Sequence, residues 1–405
     1  MIYQAYQTQA DLMWPLRTLA KLSAPALQDP SFGLASHSPS RQMAAACKVL
    51  ELAEVTHTRP AWKIASVSVG GKSTPVVEEV VHATPFATLR RFRKDTAAVQ
   101  PRVLIVAPMS GHFATLLRDT VRTMLADHDV YITDWHNVRD VPLSAGRFGL
   151  DEYTQHIIDF LGAMGPGAHL MAICQPCVAA LAAVAVMSED QHTATPASLT
   201  LMAGPIDGRI SPTPVNTLAM SKPISWFEKN LISTVPLRHP GAGRRVYPGF
   251  VQLSAFMSMN KERHVNAFKD YYTHLVADEF DKAEVTRTFY EEYMAVADLA
   301  AEFYLETVKL VFQDFALPRG ELMFRGRKVD PSAIRRTALL TVEGEKDDIC
   351  AIGQTLAAQD LCSRLRPYMR THYVQAGVGH YGVFSGRRWQ NHIYPVVRGV
   401  IHVSQ

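Results

Sequence analysis

The sequence predicts an α/β fold in which a mainly parallel sheet carries helices on both faces and is interrupted by an inserted helical cap. Two observations lead to this fold class. Short, continuous apolar runs typical of buried strands alternate with stretches of helical spacing. Residues 206–336 then depart from the alternation and are rich in aromatic and methionine side chains. The alternation favours a parallel sheet because each parallel connection needs a crossover, usually a helix.

The chain opens with a predicted helical segment, residues 1–60. Leu12, Trp14, Leu16 and Leu19 recur at roughly helical spacing, and a second helical pattern follows at 43–52. Between the two patterns we expect a loop around residues 29–40, because this stretch is rich in proline, serine and glycine.

The predicted core comprises residues 61–205 and 337–405. Two stretches rich in β-branched residues, 62–69 and 76–93, would form the antiparallel start of the sheet, joined by a hairpin at Gly70 and Gly71. Helices are expected at 113–126, 152–161 and 178–187. The expected buried strands are 103–107, 130–135, 169–173, 198–202, 338–343 and 372–375.

The predicted cap, residues 206–336, is first punctuated by prolines and then helical. We interpret most of its aromatic and methionine side chains as the core of the cap rather than as a ligand surface. Because the cap falls between two predicted strands, it is an insertion into the sheet domain rather than a terminal addition.

Composition argues against several classes of partner. The 41 basic and 38 acidic side chains give a net charge of +3 and are scattered along the chain, unlike the concentrated basic face of nucleic-acid-binding proteins. The five cysteines lack the spacing of a disulfide framework. The N-terminus lacks the pattern of a secretory signal, and the most apolar run, 177–187, is too short to cross a bilayer. We therefore expect a soluble, cytoplasmic protein without a transmembrane segment.

The strongest local motif is Ala172-Ile-Cys174-Gln-Pro176, which follows the buried strand 169–173 and precedes an apolar helix. A nucleophile on a tight turn between a strand and a helix is the nucleophile elbow, usually written G-x-S-x-G. A helix N-terminus also favours the reactive thiolate. Cys174 and Cys177 alternatively form a C-x-x-C redox motif, and an inert core thiol is a third reading. No second ligand pair suggests zinc, so no metal is expected.

Two later segments favour a nucleophile. Asp347 and Asp348 follow the strand 338–343, and His380 lies in a glycine-rich loop after the strand 372–375. Nucleophile, acid and histidine in this order, each at a strand end, are typical of the α/β-hydrolase fold. The sequence does not choose between Asp347 and Asp348, and Asp347 is preferred. We interpret His112, His136 and His372 as solvated.

The segment Ala107-Pro-Met-Ser-Gly-His112 follows an early strand. Its position predicts that Met109 or Ser110 contributes one backbone N–H to an oxyanion hole, with the N–H of Gln175 as the other donor. The expected chemistry is attack on an acyl carbon by Cys174, assisted by His380, through a thioester intermediate.

These segments resemble intracellular poly(3-hydroxybutyrate) depolymerases over the whole chain, roughly residues 1–405. The resemblance rests on Ala172–Pro176, on 133–142 (Thr-Asp-Trp-His-Asn-Val-Arg-Asp-Val-Pro), on 344–348 (Gly-Glu-Lys-Asp-Asp) and on 377–386 (Gly-Val-Gly-His-Tyr-Gly-Val-Phe-Ser-Gly). It implies a cysteine-dependent hydrolase of native amorphous polyester at the surface of cytoplasmic storage granules, with Cys174, Asp347 and His380 as its triad. No cofactor is implied.

Other functions stay open at this point. Polyhydroxyalkanoate synthases share the Cys–Asp–His logic, so an acyltransferase is an alternative, as is a granule-associated scaffold without activity. A dithiol redox protein is a third. Water or a thiol such as coenzyme A could accept the acyl group, and a homo-oligomer is compatible with the sequence.

Overall fold

The computed structural model describes residues 2–29, 38–96 and 99–405. The N-terminal segment forms two helices, α1 (Ile2–Gln28) and α2 (Ser38–Leu52). Of the predicted loop at 29–40, residues 30–37 lie outside the described residues, and Ser38 to Ser40 already belong to α2. Helix α1 buries Tyr3, Ala20 and Ala24, whereas Leu12, Trp14, Leu16 and Leu19 are exposed.

Seven strands precede the insertion and two follow it. Their order along the chain shows the alternation of strand and helix that the sequence predicts. The strands are β1 (Ser66–Val69), β2 (Lys72–Ala83), β3 (Ala87–Lys94), β4 (Arg102–Val106), β5 (Asp129–Trp135), β6 (His169–Ile173) and β7 (Ser198–Met202). The helices among them are α3 (Arg118–Met124), α4 (Leu150–Met164) and α5 (Cys177–Glu189), with 3₁₀ turns at Ala114–Leu117, Val138–Asp140 and Leu143–Ala145.

The segment between β7 and the next sheet strand carries helices and five short strands. Its helices are α6 (Pro214–Met220), α7 (Ile224–Leu231), α8 (Gly249–Met259), α9 (Lys261–Val276), α10 (Phe280–Tyr293) and α11 (Ala301–Glu306), followed by a π-helix at Thr307–Gln313 and a 3₁₀ turn at Pro331–Ala333. Its strands are β8 (Ser233–Thr234), β9 (Arg245–Tyr247), β10 (Leu299–Ala300), β11 (Met323–Phe324) and β12 (Arg327–Lys328).

The C-terminal part returns to the sheet. Its strands are β13 (Ala338–Gly344) and β14 (Arg370–Gln375). Its helices are α12 (Ala357–Leu361), α13 (Gly386–Arg388) and α14 (Tyr394–Val403), with 3₁₀ turns at Pro367–Met369 and His380–Val383 and a π-helix at Trp389–Ile393.

The nine-stranded sheet has the order β1-β2-β3-β5-β4-β6-β7-β13-β14. The first three strands are antiparallel to their neighbours, and β5, β4, β6, β7, β13 and β14 run parallel. Because parallel strands end at the same edge, the loops after β4, β6 and β13 meet at one end of the sheet. The chain has an α/β-hydrolase fold.

Two predicted elements were wrong in detail. The stretch 76–93 forms two strands, because Thr84 and Pro85 turn the chain between β2 and β3. The hydroxyl oxygen of Thr84 accepts hydrogen bonds from the N–H groups of Phe86 and Ala87 at 3.2 and 3.0 Å, a side-chain turn that competes with extended pairing. The predicted helix 113–126 starts as a 3₁₀ turn and becomes α-helical only at Arg118.

A second apolar core lies between α2 and the insertion. Ala45 and Leu52 of α2 pack with buried side chains of α8, α9 and α10, among them Leu253, Tyr271 and Tyr290. Many aromatic side chains of the insertion are therefore core, as expected. Others, including Phe280, lie at the surface.

Candidate active site

Cys174 lies directly after β6 on a strained turn. Its φ angle of +69° is rare for a residue with a side chain, and the N–H of Cys174 donates to the Met202 carbonyl at 2.7 Å. Helix α5 begins three residues later and is buried along its apolar length. The strained turn and the central buried helix together hold the partly exposed Cys174 thiol at the end of the sheet.

Gly204 packs so closely against this turn that it has no room for a side chain. A Cβ built at Gly204 would overlap the Cβ and Sγ of Cys177 and would lie 2.9 Å from the Cys174 carbonyl oxygen. The sequence motif gives no sign of this contact, because Gly204 follows β7 rather than β6.

We expect Gly204→Ala to lower the free energy of unfolding by about 1–3 kcal/mol, since overpacking forces the elbow to shift. Urea denaturation measures the change. Gly162→Ala in α4 is the matched control, because a Cβ there meets no atom within 4 Å, so its stability should be equal to or above that of the wild type. Equal stability of both variants would show that the elbow tolerates the added methyl group.

His380 and Asp347 form a buried pair. The Nδ1 atom of His380 lies 2.8 Å from Oδ2 of Asp347, and both side chains are almost fully buried. The other carboxylate oxygen, Oδ1, accepts hydrogen bonds from the N–H groups of Ile349 and Cys350 at 2.9 and 2.8 Å. The neighbouring Asp348 is exposed, so the structure brings Asp347 rather than Asp348 to the histidine.

The thiol of Cys174 lies near the ring of His380 and influences its pKa. Burial lowers the pKa of His380, but the negative charges of a Cys174 thiolate and of Asp347, with hydrogen bonds to both, outweigh it and raise that pKa well above 6.5. The surroundings of His380 therefore favour its protonated, imidazolium form.

A buried carboxylate that sequence reasoning did not single out fixes the loop that carries Asp347. Glu343, at the end of β13, accepts hydrogen bonds from the N–H groups of Gly353, Thr355 and Leu356 at 2.8–3.0 Å and is fully buried. An acidic residue within an apolar strand is the signal that could have found it, since a buried carboxylate needs donors.

The predicted oxyanion residues lie together, but their donors are not all free. The N–H of Met109 donates to the side-chain oxygen Oε1 of Gln175 at 3.4 Å. Met109 is buried, while Ser110 and Gln175 are partly exposed. The side-chain oxygen of Gln175 thus occupies the Met109 N–H. The position of Gln175 in the motif does not predict this contact.

The insertion braces this loop through His112, whose interpretation as a solvated side chain was wrong. His112 is 6% exposed, and its Nε2 lies 3.1 Å from the carbonyl oxygen of Tyr293. Burial lowers the pKa of His112 to about 4, so the ring is neutral at pH 7. The N–H of Ala297 also donates to the Gly111 carbonyl at 2.9 Å.

Cys177, the second thiol of the C-x-x-C motif, is fully buried. Its Sγ faces the carbonyl oxygens of Ala172 and Met202, and burial raises the pKa of this thiol far above its usual range. A thiol held neutral in this way is a poor redox partner.

Neither a bilayer-spanning helix nor a metal-ion site is found in the described part of the chain. No helix there has the length and apolar composition of a membrane span. Nor do three or more His, Cys, Asp or Glu side chains of those residues cluster as metal ligands would.

Several solved structures are similar in fold. A 2-hydroxy-6-oxo-6-phenylhexa-2,4-dienoate hydrolase from Rhodococcus sp. strain RHA1 is 12% identical, with a TM-score of 0.46 over 81% of this chain and 99% of that one. A Paleococcus ferrophilus monoacylglycerol lipase is 12% identical, with a TM-score of 0.43 over 76% of this chain and 96% of that one. A thermophilic esterase from Thermogutta terrifontis is 13% identical, with a TM-score of 0.42 over 80% of this chain and 98% of that one. Similarity at this level does not extend to substrate or mechanism.

No curated protein matches the chain. A family model does match, over residues 203–405, and its description is "PHB de-polymerase C-terminus". The matched segment contains Asp347 and His380 and ends with the chain, whereas Cys174 lies before it. Since the match covers half of the sequence, the chain belongs to the PHB depolymerase family.

Proposed function

We propose that the chain cleaves the ester bonds of poly(3-hydroxybutyrate), with Cys174 as nucleophile, His380 as general acid and base, and Asp347 as the residue that orients His380. The family and the fold are those of ester hydrolases. The observation that carries the finer proposal is the buried His380–Asp347 hydrogen bond of 2.8 Å, with the Cys174 thiol within reach of the same ring.

The first half of the reaction transfers the acyl group to sulfur. His380 takes the thiol proton at Nε2, and the thiolate of Cys174 forms a bond to the ester carbonyl carbon. The electron pair of the carbonyl moves to oxygen, where the N–H groups of Met109 and Gln175 stabilise it. The carbon–oxygen bond of the ester then breaks, and the proton on His380 passes to the departing hydroxyl end of the polymer.

The second half frees the enzyme. Water gives a proton to His380 and adds to the thioester carbonyl, and the carbon–sulfur bond breaks to release an acid and restore the Cys174 thiol. A thiol such as coenzyme A would react in the same way and release a thioester. In both halves the oxyanion must displace the side-chain oxygen of Gln175 from the Met109 N–H, because this single donor cannot serve both the oxyanion and the Gln175 oxygen.

The proposed substrate implies a cellular location for the protein. We place it at the surface of storage granules in the cytoplasm, where amorphous polyester is the accessible form, and we expect no cofactor beyond the acyl acceptor. The exposed apolar side chains of α1 suit adsorption to such a surface.

The test is to trap the acyl-enzyme. Purified protein is mixed with native amorphous poly(3-hydroxybutyrate) granules, quenched in acid within the first turnovers and digested for mass spectrometry. We expect hydroxybutyryl units on the peptide that contains Cys174, and free acid in the supernatant without coenzyme A. Products that form only as thioesters in its presence would identify a thiol acceptor. No adduct and no release would contradict the proposal.

A further inference from the structure

The N-terminal helix turns an apolar stripe away from the core. Tyr3 anchors α1 by donating a hydrogen bond to Oδ2 of the buried Asp298 at 2.7 Å, and this fixes which face of the helix is buried. As a result Leu16 and Leu19 are 50% and 62% exposed. Leucines with this exposure on one helix face mark an interaction surface more often than scattered surface residues do.

Two adjoining grooves continue this surface. The first, of about 540 Å³, lies between α1 and α2. The second, of about 1070 Å³, lies between α2, α8 and α9. The grooves share Ala46 and Leu50 of α2, so they lie next to each other along this helix, and together we call them the apolar track. Its exposed or half-buried apolar side chains include Leu16, Leu19, Met43, Val265, Phe268 and Tyr272.

The polar groups of the track, taken over the described residues, include cationic side chains but no carboxylates. The hydroxyls of Ser254, Ser258 and Thr273 already donate to carbonyls of their own helices. Lys261 and Lys269 also line the second groove, and within the described residues neither ammonium group has an ion-pair partner. The track therefore offers apolar surface and hydrogen-bond donors, but no free anionic acceptor.

An aliphatic polyester has the complementary chemistry. Its backbone carries methyl and methylene groups together with ester carbonyls, which accept hydrogen bonds and cannot donate them. A peptide or a carbohydrate would bring donors that find few acceptors here, and an unpaired buried donor costs free energy.

The track also leads towards the candidate active site. His264 lines the second groove and stacks on Tyr293, with ring centroids 5.2 Å apart. The carbonyl oxygen of Tyr293 is the partner of His112, which follows the loop of Met109 and Ser110. Tyr293 and His112 thus connect the groove, which does not itself contain Cys174, to the loop that would hold the oxyanion.

We propose that the apolar track binds aliphatic polyester at the granule surface and thereby holds the enzyme on its insoluble substrate. This inference rests on the proposed function, and it adds a binding surface outside the triad. Adsorption through the track would keep the enzyme on the granule between cleavage events.

The experiment places a carboxylate in the track. Val265, 43% exposed on α9, lies four residues from both Lys261 and Lys269, so Val265→Glu can pair with them on the helix surface and leave the fold intact. It would remove both free donors and oppose the ester carbonyls. Leu19→Glu places a carboxylate in the first groove, where Leu19 is 62% exposed. The matched control is Val285→Glu on α10, since Val285 is 74% exposed and outside the track.

Adsorption is measured by co-sedimentation with amorphous poly(3-hydroxybutyrate) granules, using Cys174→Ala versions that cannot digest them. We expect Val265→Glu and Leu19→Glu to adsorb at least about tenfold more weakly than Val285→Glu, because a carboxylate must be desolvated on binding. With Cys174 present, hydrolysis of a soluble short-chain butyrate ester should stay within about twofold of wild type, and near-ultraviolet circular dichroism should be unchanged.

Three results would overturn the inference. The first is equal adsorption of the three glutamate variants. The second is a wild-type dimer that Val265→Glu converts to a monomer with unchanged adsorption, which would make the track an interface between two copies of the chain. The third is loss of soluble-ester hydrolysis in parallel with adsorption, which would mean general damage. Failure of the proposed function is distinct, because wild type would then release nothing from granules or from soluble esters.

Discussion

Replacing Cys174 by alanine is expected to lower the rate of acid release from amorphous poly(3-hydroxybutyrate) by about 10⁴-fold or more, the usual cost of deleting the nucleophile of a triad. The reason is geometric. The thiol lies on a strained turn with φ +69°, and it is the group at that turn within reach of His380. Without sulfur no covalent intermediate forms, although Asp347 and His380 remain paired. Release is measured as titrated acid or as enzymatically assayed 3-hydroxybutyrate.

The same measurement on Cys177→Ala separates hydrolysis from dithiol redox chemistry. A redox protein needs both sulfurs, so both variants would lose function equally. A hydrolase should keep most of its activity in Cys177→Ala, because Cys177 is packed beneath the elbow and costs mainly packing energy when truncated. Binding of Cys174→Ala to granules should be unchanged. Full release by Cys174→Ala would exclude this cysteine as the nucleophile, and no release by wild type would favour a scaffold role.

The sequence predicted the parallel part of the fold well because its signals are local. Strands 169–173 and 198–202 agree with β6 and β7 to the residue, since both are short apolar runs with no competing signal. The stretch 76–93 failed because β-branched content continues on both sides of Thr84, so periodicity alone did not mark the turn. Helix propensity also could not predict that the side chains of Leu16 and Leu19 are exposed. Which face of α1 is buried depends on tertiary contacts such as the hydrogen bond from Tyr3 to Asp298.

For the site, the order of residues along the chain was informative, whereas atomic contacts were not. The α/β-hydrolase order placed Cys174, an aspartate and His380 at one edge of the sheet. The choice between Asp347 and Asp348 depends on which carboxylate turns inward, and that depends on the N–H groups of Ile349 and Cys350. The Met109–Gln175 contact and the hydrogen bonds that Glu343 accepts from Gly353, Thr355 and Leu356 are likewise contacts that no local motif encodes.

Asp347→Asn is expected to reduce turnover by about 10³- to 10⁴-fold while the protein stays folded. In the variant, the amide oxygen can keep the two hydrogen bonds that Oδ1 of Asp347 now accepts from Ile349 and Cys350. The amide NH₂ group would then face Nδ1 of His380, where the carboxylate oxygen lies at 2.8 Å. A donor at this position forces the proton of a neutral imidazole onto Nε2, which then cannot accept the thiol proton.

The pH profile gives an independent readout of the same change. The carboxylate is one of the groups that raise the pKa of His380, so its removal should lower that pKa. Less imidazolium is then present at a given pH, and the alkaline limb of the rate profile should move to lower pH. Asp348→Asn is the matched control, because it makes the same chemical change on an exposed neighbour and should leave both rate and profile unchanged. If Asp348→Asn were the variant that lost activity, the geometry of the resting loop would not be that of the working enzyme, and Asp348 would have to turn inward when substrate binds.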